Sequence, residues 1–344
     1  MNILVIGKFS PDQFALHILD TLKDMGHTTF EFDPTLKYKY THTHIGRRIH
    51  QANQIISNTL AYMQYFRERR KKKLLKIIEA KKIELTIVTH DFLYPDETEL
   101  IKEKTKSPLV LWFPDPVAGF QKGFFFISEY DFLFFKDPYI IKVLAEQYNL
   151  KNIFYLPECC NPKYHKFIEL SQNDIEHYGC DITTFGNPHN IRSSFFGQLP
   201  ELKYSIKIWG HQPPVWLSDN KIKSLYTGEY VFNESKAKSV LAAKINLNTL
   251  LPAEIYGLNA RTFEIAGIGG FQMLHWRAGL SNLFDEGKEL VTFNNFEELR
   301  EKIDFYIHNN GLRDEIAKAG QKRAYSDHTY KIRLACLIET VFSK

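Results

Sequence analysis

Short apolar runs alternate with amphipathic stretches from the first residue onward. Asn2–Ile6 is almost wholly apolar and stops at Gly7, as a buried parallel strand does. Ser10-Pro11-Asp12-Gln13 follows, with Ser at an N-cap position, Pro at N1 and Gln at N3, and predicts a helix to about Met25. Gly26 stops it, and Thr28–Phe32 is the next strand. The pattern then predicts a long helical region over 43–82. Strands follow at Leu85–Thr89, Leu109–Phe113, 131–135 and 152–156, with a helix after Lys136-Asp137-Pro138. Residues 161–179 read as a linker. A second series begins with strands at Cys180–Phe185, 205–209 and 244–248. It continues with strands starting at Phe271 and over 289–293. Its helices run from Asn190, over 235–241, after an Asn295 cap with Glu298 at N3, over 312–323, and from Asp327 to the end.

Strands that alternate with helices predict parallel sheets covered on both faces, hence the α/β class. We read two tandem Rossmann-like domains facing a cleft: an acceptor-side domain at 1–165 and a donor domain at 166–326. A C-terminal helix at 327–344 then packs back on the first domain. The opening βαβ unit lacks G-x-G-x-x-G, so no dinucleotide site is expected there. Ligands of such sheets sit beyond the carboxyl ends of the strands, where His90, Asp91, Asp115 and Glu158 all fall.

The most informative stretch is Tyr256-Gly-Leu-Asn-Ala-Arg-Thr-Phe-Glu-Ile-Ala-Gly-Ile-Gly-Gly-Phe-Gln-Met-Leu274. It reads as a loop opened by Gly257, a cap at Asn259, a short helix over 261–266, a break at Gly267, Gly269 and Gly270, and a buried strand. A loop running into a helix N-terminus presents free N–H groups and a positive dipole end to an anion. Gly257, Leu258 and Asn259 would donate, Arg261 would add a fixed positive fork, and Glu264 suits the paired hydroxyls of a ribose. The same residues also fit a plain αβ corner with Arg261 and Glu264 as a solvated pair.

Composition narrows the class. The 344 residues are 44% apolar and 24% charged, with 14% aromatic and a net charge of +4, which describes a globular protein without the charge that nucleic acid demands. Cys159, Cys160, Cys180 and Cys336 show no zinc spacing and read as reduced thiols of a cytoplasmic protein. No Asp-x-Asp occurs, so no metal and no other cofactor is expected. No signal peptide is expected either, because Met1 leads straight into a strand. The basic run Arg67–Lys76 fits a solvated helix face. It also fits peripheral contact with anionic lipid at the inner face of a membrane, or with an acidic glycan.

Over about 155–333 the chain resembles the spore-maturation (CgeB-like) glycosyltransferases of the GT-B class. The likeness rests on Tyr155-Leu156-Pro157, Asn161-Pro162, His165, Gly186, Arg192, Asn246, Asn248, Gly257-Leu258-Asn259, Arg261-Thr262-Phe263-Glu264-Ile265 and Gly269-Gly270-Phe271. It continues through Ala317, Gly320, His328-Thr329-Tyr330 and Arg333. The resemblance implies a nucleotide-sugar donor on the second domain, with Asn248, Thr262 and Glu264 among its contacts. It implies a glycan or lipid-linked acceptor on the first domain, and surface-polysaccharide assembly (lipopolysaccharide or capsule) as the pathway. Many retaining members carry Glu-x7-Glu. Here Glu264 stands at the second position and Tyr256 at the first, which leaves retaining and inverting chemistry both open. Gly186 and Asn187 would line the phosphates, and Trp209 and Tyr226 are candidate platforms for the base. An inverting reaction needs a general base, for which Asp115 is the first candidate and His90 and Asp91 the next. Other readings are a nucleotide-sugar epimerase of the same fold, a non-catalytic nucleotide- or glycan-binding subunit, and a protein-modifying transferase.

Overall fold

The computed structural model describes residues 1–35, 63–117, 123–186, 190–210 and 220–343. The first half runs β1 (Asn2–Ile6), α1 (Phe14–Asp24), β2 (Thr28–Phe32), α2 (Gln64–Ala80), β3 (Leu85–Thr89), α3 (Pro95–Thr105), β4 (Leu109–Phe113), β5 (Phe132–Phe135), α4 (Pro138–Tyr148) and β6 (Ile153–Tyr155). The second runs α5 (Gln172–Tyr178), β7 (Cys180–Phe185), α6 (Asn190–Phe196), β8 (Ile206–Trp209), α7 (Asn220–Lys223), α8 (Glu234–Leu241), β9 (Ala243–Asn248), α9 (Ala260–Ile268), β10 (Gln272–His275) and β11 (Val291–Phe293). Helices α10 (Phe296–Ile307), α11 (Asn310–Asp327) and α12 (Tyr330–Phe342) complete it.

Two all-parallel sheets result, ordered β2-β1-β3-β4-β5-β6 and β11-β10-β9-β7-β8. Strands β3 and β4 are buried at every position, which is why they read as continuous apolar runs. Strand order reverses between β1 and β3 in one sheet and between β7 and β9 in the other. Crevices open beyond the carboxyl ends at such switch points. Helix α12 buries Tyr330, Leu334, Leu337 and Val341 among Ile3, Val5 and Ile18 of the first sheet's core. The chain crosses back through a bridge between Cys160 and Thr329, where Tyr330 N–H donates to the Cys160 carbonyl.

Four local expectations change. Helix α1 begins at Phe14 instead of after Ser10, because Asp12 takes a left-handed backbone (φ 65°) and Ser10–Gln13 closes as a turn. The presumed linker contains α5, capped by a Ser171–Asp174 capping box. Gly267 lies inside α9, packed against Cys160, and only Gly269 (φ 91°) ends that helix. Asp327 closes α11, where it pairs with Arg323 at 2.8 Å, and Thr329 caps α12. Of the long helix expected over 43–82, Gln64–Ala80 is observed, and the part before residue 63 lies outside the described residues.

Candidate active site between the two sheets

Two guanidinium groups define the crevice at the end of β7. Arg192 is 3% exposed; its Nε donates to Thr249 Oγ1 at 2.9 Å and its Nη2 to Thr184 Oγ1 at 3.1 Å. Arg261, in the first turn of α9, donates through Nη1 to the Phe185 carbonyl at 2.7 Å and through Nη2 to the Thr249 carbonyl at 3.5 Å. No carboxylate of the described residues lies within ion-pair distance of Arg261. Burial lowers the pKa of both groups, and the Arg261 charge lowers Arg192 further. Gly186 (φ 112°) passes beside both: a Cβ there would meet Arg192 Nη1 at 3.4 Å and Arg261 Nη1 at 3.7 Å. Two cations this close together form a site that an anion would stabilise.

A second cluster joins the domains. Lys236, 3% exposed, places its ammonium 2.6 Å from Asp12 Oδ2 and 2.9 Å from Glu264 Oε2. Burial alone would raise the Asp12 pKa and lower that of Lys236; the Lys236 charge, with His165 and His17, more than offsets it at Asp12, and the Glu264 and Asp12 carboxylates do so at Lys236, so Asp12 is held well below and Lys236 above the ordinary value. Asp12 Oδ1, His17 Nε2 and His165 Nε2 converge without direct hydrogen bonds, and they are the one group of metal-ligand type among the described residues. They do not suit a cation. The Asn161 N–H donates to His165 Nδ1 at 3.0 Å, so the proton of neutral His165 sits on Nε2, the atom a metal would need bare. Lys236 adds a positive charge at the same carboxylate. Asp12 Oδ1 lies 3.7 Å from each imidazole Nε2, within ion-pair distance.

The third cluster is also interdomain. Lys136, just past β5, sits 3.0 Å from Glu158 Oε1 and 2.8 Å from Glu254 Oε1, with all three buried. Burial, only partly offset by Lys136, pushes Glu158 up to about 7. Asp137 caps α4 through Oδ1 while its Oδ2 accepts the N–H groups of Ile255, Tyr256 and Gly257 at 3.0, 2.9 and 3.1 Å. Gly257 is needed for this approach, because a Cβ would stand 3.2 Å from the Lys136 carbonyl.

On the first sheet, His90 (φ 60°) and Asp115 meet at 3.6 Å, Nε2 to Oδ2. Burial lowers the His90 pKa, against the raising effect of Asp115. Asp91 is not part of this pair: its Oδ2 accepts the Phe124 N–H at 3.0 Å and anchors the loop there.

Several predicted contacts are relocated. Trp209 is 1% exposed, its indole N–H donates to Thr183 Oγ1, and it packs in an apolar core with Phe185 and Val240; Tyr226 is 6% exposed in another. Neither offers a face to a base, because alternate positions of a buried strand and the bridge beside it point into the core. The Gly257 N–H is taken by Asp137, and the Leu258 side chain is core. Asn248 and Asn259 exchange amide hydrogen bonds at 3.0 and 2.9 Å, and Asn259 Oδ1 accepts the Thr262 N–H, so these three residues build the start of α9. Asn187 lies outside the described residues. Lys136, Asp137, Lys236 and Glu254 were not among the predicted site residues. The available signal for Glu254 was a lone acid in the apolar run Leu250–Tyr256, and none marked Lys236.

The whole architecture matches solved glycosyltransferases. HepE of Anabaena, solved in complex with UDP and glucose, superposes with a TM-score of 0.66 over 100% of both chains at 12% identity. Sucrose-phosphate synthase from Thermosynechococcus elongatus gives 0.64 over 99% of both chains at 11% identity. A glycosyltransferase from Rickettsia africae gives 0.65 over 99% of this chain and 98% of its own at 13% identity. The fold is GT-B. Within it, residues 192–339 match the family model described as glycosyl transferase-like. No curated protein matches the sequence. The GT-B cleft is where all three charged clusters meet.

Proposed function

We propose that this glycosyltransferase moves a sugar from a nucleotide-sugar donor to a glycan or lipid-linked acceptor. The observation that carries the reading is Arg261: a half-buried guanidinium whose hydrogen bonds among the described residues go to carbonyl oxygens, beside Arg192 and Gly186. The donor diphosphate binds the two arginines, which stabilise the charge that develops as it leaves, a role that otherwise falls to a divalent metal. Glu264 meets the ribose, and Glu254, within electrostatic reach of Arg261, faces the sugar. The Asp115–His90 pair accepts the acceptor proton. The resemblance to spore-maturation-type enzymes supports a surface polysaccharide, lipopolysaccharide or capsule, as product. The test is a thermal-shift panel of UDP, GDP, dTDP, ADP and CMP, with and without magnesium. A shift with one nucleotide, independent of magnesium and lost in Arg261→Met and Glu264→Ala, is the expected result. No shift with any of them overturns the donor assignment and leaves the fold standing.

A further inference from the structure

The basic run on α2 divides into two sets. The inner set is used up within the fold: Arg67 pairs with Asp96 at 2.6 Å, Arg70 with Glu97, and Lys71 with Asp96 at 2.6 Å, while Arg67 and Arg70 also lie over the Tyr94 ring at 4.7 and 5.0 Å. The outer set is Arg69, Lys72, Lys73 and Lys76, all exposed. At 100° per residue these four fall within an arc of about 100°, diametrically opposite the buried Leu74 and Ile78. Glu68 and Glu79 lie on the flank of the arc, and Glu68 faces Lys71 at 3.3 Å. Tyr65, 67% exposed, stands at the N-terminal end of the same side.

We propose that this outer face of α2 docks on an anionic lipid surface. Four cations on one convex helix face, with no acid among them, complement a plane of headgroups, and an exposed Tyr at one end suits the headgroup boundary. No helix of the described residues is long and apolar enough to cross a membrane, so the contact is peripheral. The inner side of α2 lies against Tyr94, four residues beyond His90, so docking of the outer face sets the bilayer about one helix diameter from the rim of the first sheet's crevice. Only the delivery of a lipid-linked acceptor to that rim rests on the transfer reaction proposed above; the docking does not.

The experiment is co-sedimentation of the full chain with phosphatidylcholine vesicles, with and without a third of phosphatidylglycerol, at low and high salt. The parent is expected to bind only the anionic vesicles, and to release them as salt rises. Replacing Arg69, Lys72, Lys73 and Lys76 by Gln should weaken binding on the order of a thousandfold. A control that replaces Lys151, Lys288, Lys318 and Lys322, exposed elsewhere, with Gln has the same net charge and should keep binding within about threefold. Equal binding to neutral vesicles overturns the proposal. So does equal loss in the control, or retention of heparin or RNA without retention of vesicles. Thermal unfolding of the variants separates lost binding from lost fold. A negative result here leaves nucleotide binding untouched, and a failed nucleotide panel leaves this result untouched.

Discussion

Asp137 Oδ2 accepts the Gly257 N–H at 3.1 Å across 120 residues of chain. The same oxygen holds Ile255 and Tyr256, and the other oxygen caps α4, so one carboxylate ties the first sheet's rim to the loop that leads into α9. Four residues after Gly257 comes Arg261. The position of the crevice cation therefore depends on a residue of the other domain.

Asp137→Ala removes a cap and three charge-assisted loop contacts together. The expected loss is about 3 kcal/mol of unfolding free energy in urea, with nucleotide affinity weakened in parallel. Asn at this position keeps the cap and should lose less. An unchanged midpoint for the Ala variant would refute the tie.

Glu158 makes stability depend on pH. Its folded pKa of about 7 lies above its unfolded value near 4.5, so the folded state binds the extra proton. That contribution is complete below about pH 4.5 and is lost as pH rises through 7. Glu158→Gln should match the parent at pH 4.5 and exceed it by about 3 kcal/mol at pH 8. Parallel stability curves for the two proteins across that range would show that Lys136 holds Glu158 ionised throughout.

Arg261→Met separates stability from binding. The variant gives up a half-buried cation and keeps most of the volume, so its midpoint should stay within about 1 kcal/mol of the parent. Nucleotide affinity should fall at least tenfold, about 1.4 kcal/mol, by titration calorimetry. A parallel fall in stability would instead make Arg261 a structural strut.

Gly186→Ala tests the same crevice from its backbone side. A φ of 112° is costly for any residue with a Cβ, and the added methyl faces both guanidinium groups. The expected cost is about 1–2 kcal/mol with nucleotide binding weakened, read from the same titrations. Full affinity in this variant would move the anion away from Gly186.

Asp115 and Asp91 are adjacent to the same histidine and should differ sharply. Asp115→Asn should lower turnover by about 10²-fold or more with nucleotide affinity intact. Asp91→Asn should keep turnover and loosen the loop at Phe124, seen as faster amide exchange there. Reversed results would exchange the two roles.

Much of the fold was legible because buried parallel strands leave a purely local mark. Cys180–Phe185 and Leu109–Phe113 are apolar runs bounded by turns, and both appear at those limits. The Asn295 and Asn259 caps were legible for the same reason: each cap closes within three residues, at Glu298 and Thr262. Arg261 and Glu264 stood out through the loop-to-helix grammar around them. The start of α1 was misread because Ser10-Pro11-Asp12-Gln13 satisfies the local rule for a helix start. Asp12 is instead held by Lys236 from the other domain.

The sequence by itself thus determined the strands, most helices, the α/β class and the loop bearing Arg261, because backbone preference and burial act over a few residues. Only the tertiary structure decided what those side chains meet. Trp209 and Tyr226 turned into cores, Asp91 went to a loop, and Lys136, Lys236 and Glu254 entered the cleft. Lys136 and Glu254 are 118 residues apart and 2.8 Å from one another. A Coulomb interaction depends on distance in space and on burial, and neither is written in the spacing of residues along a chain.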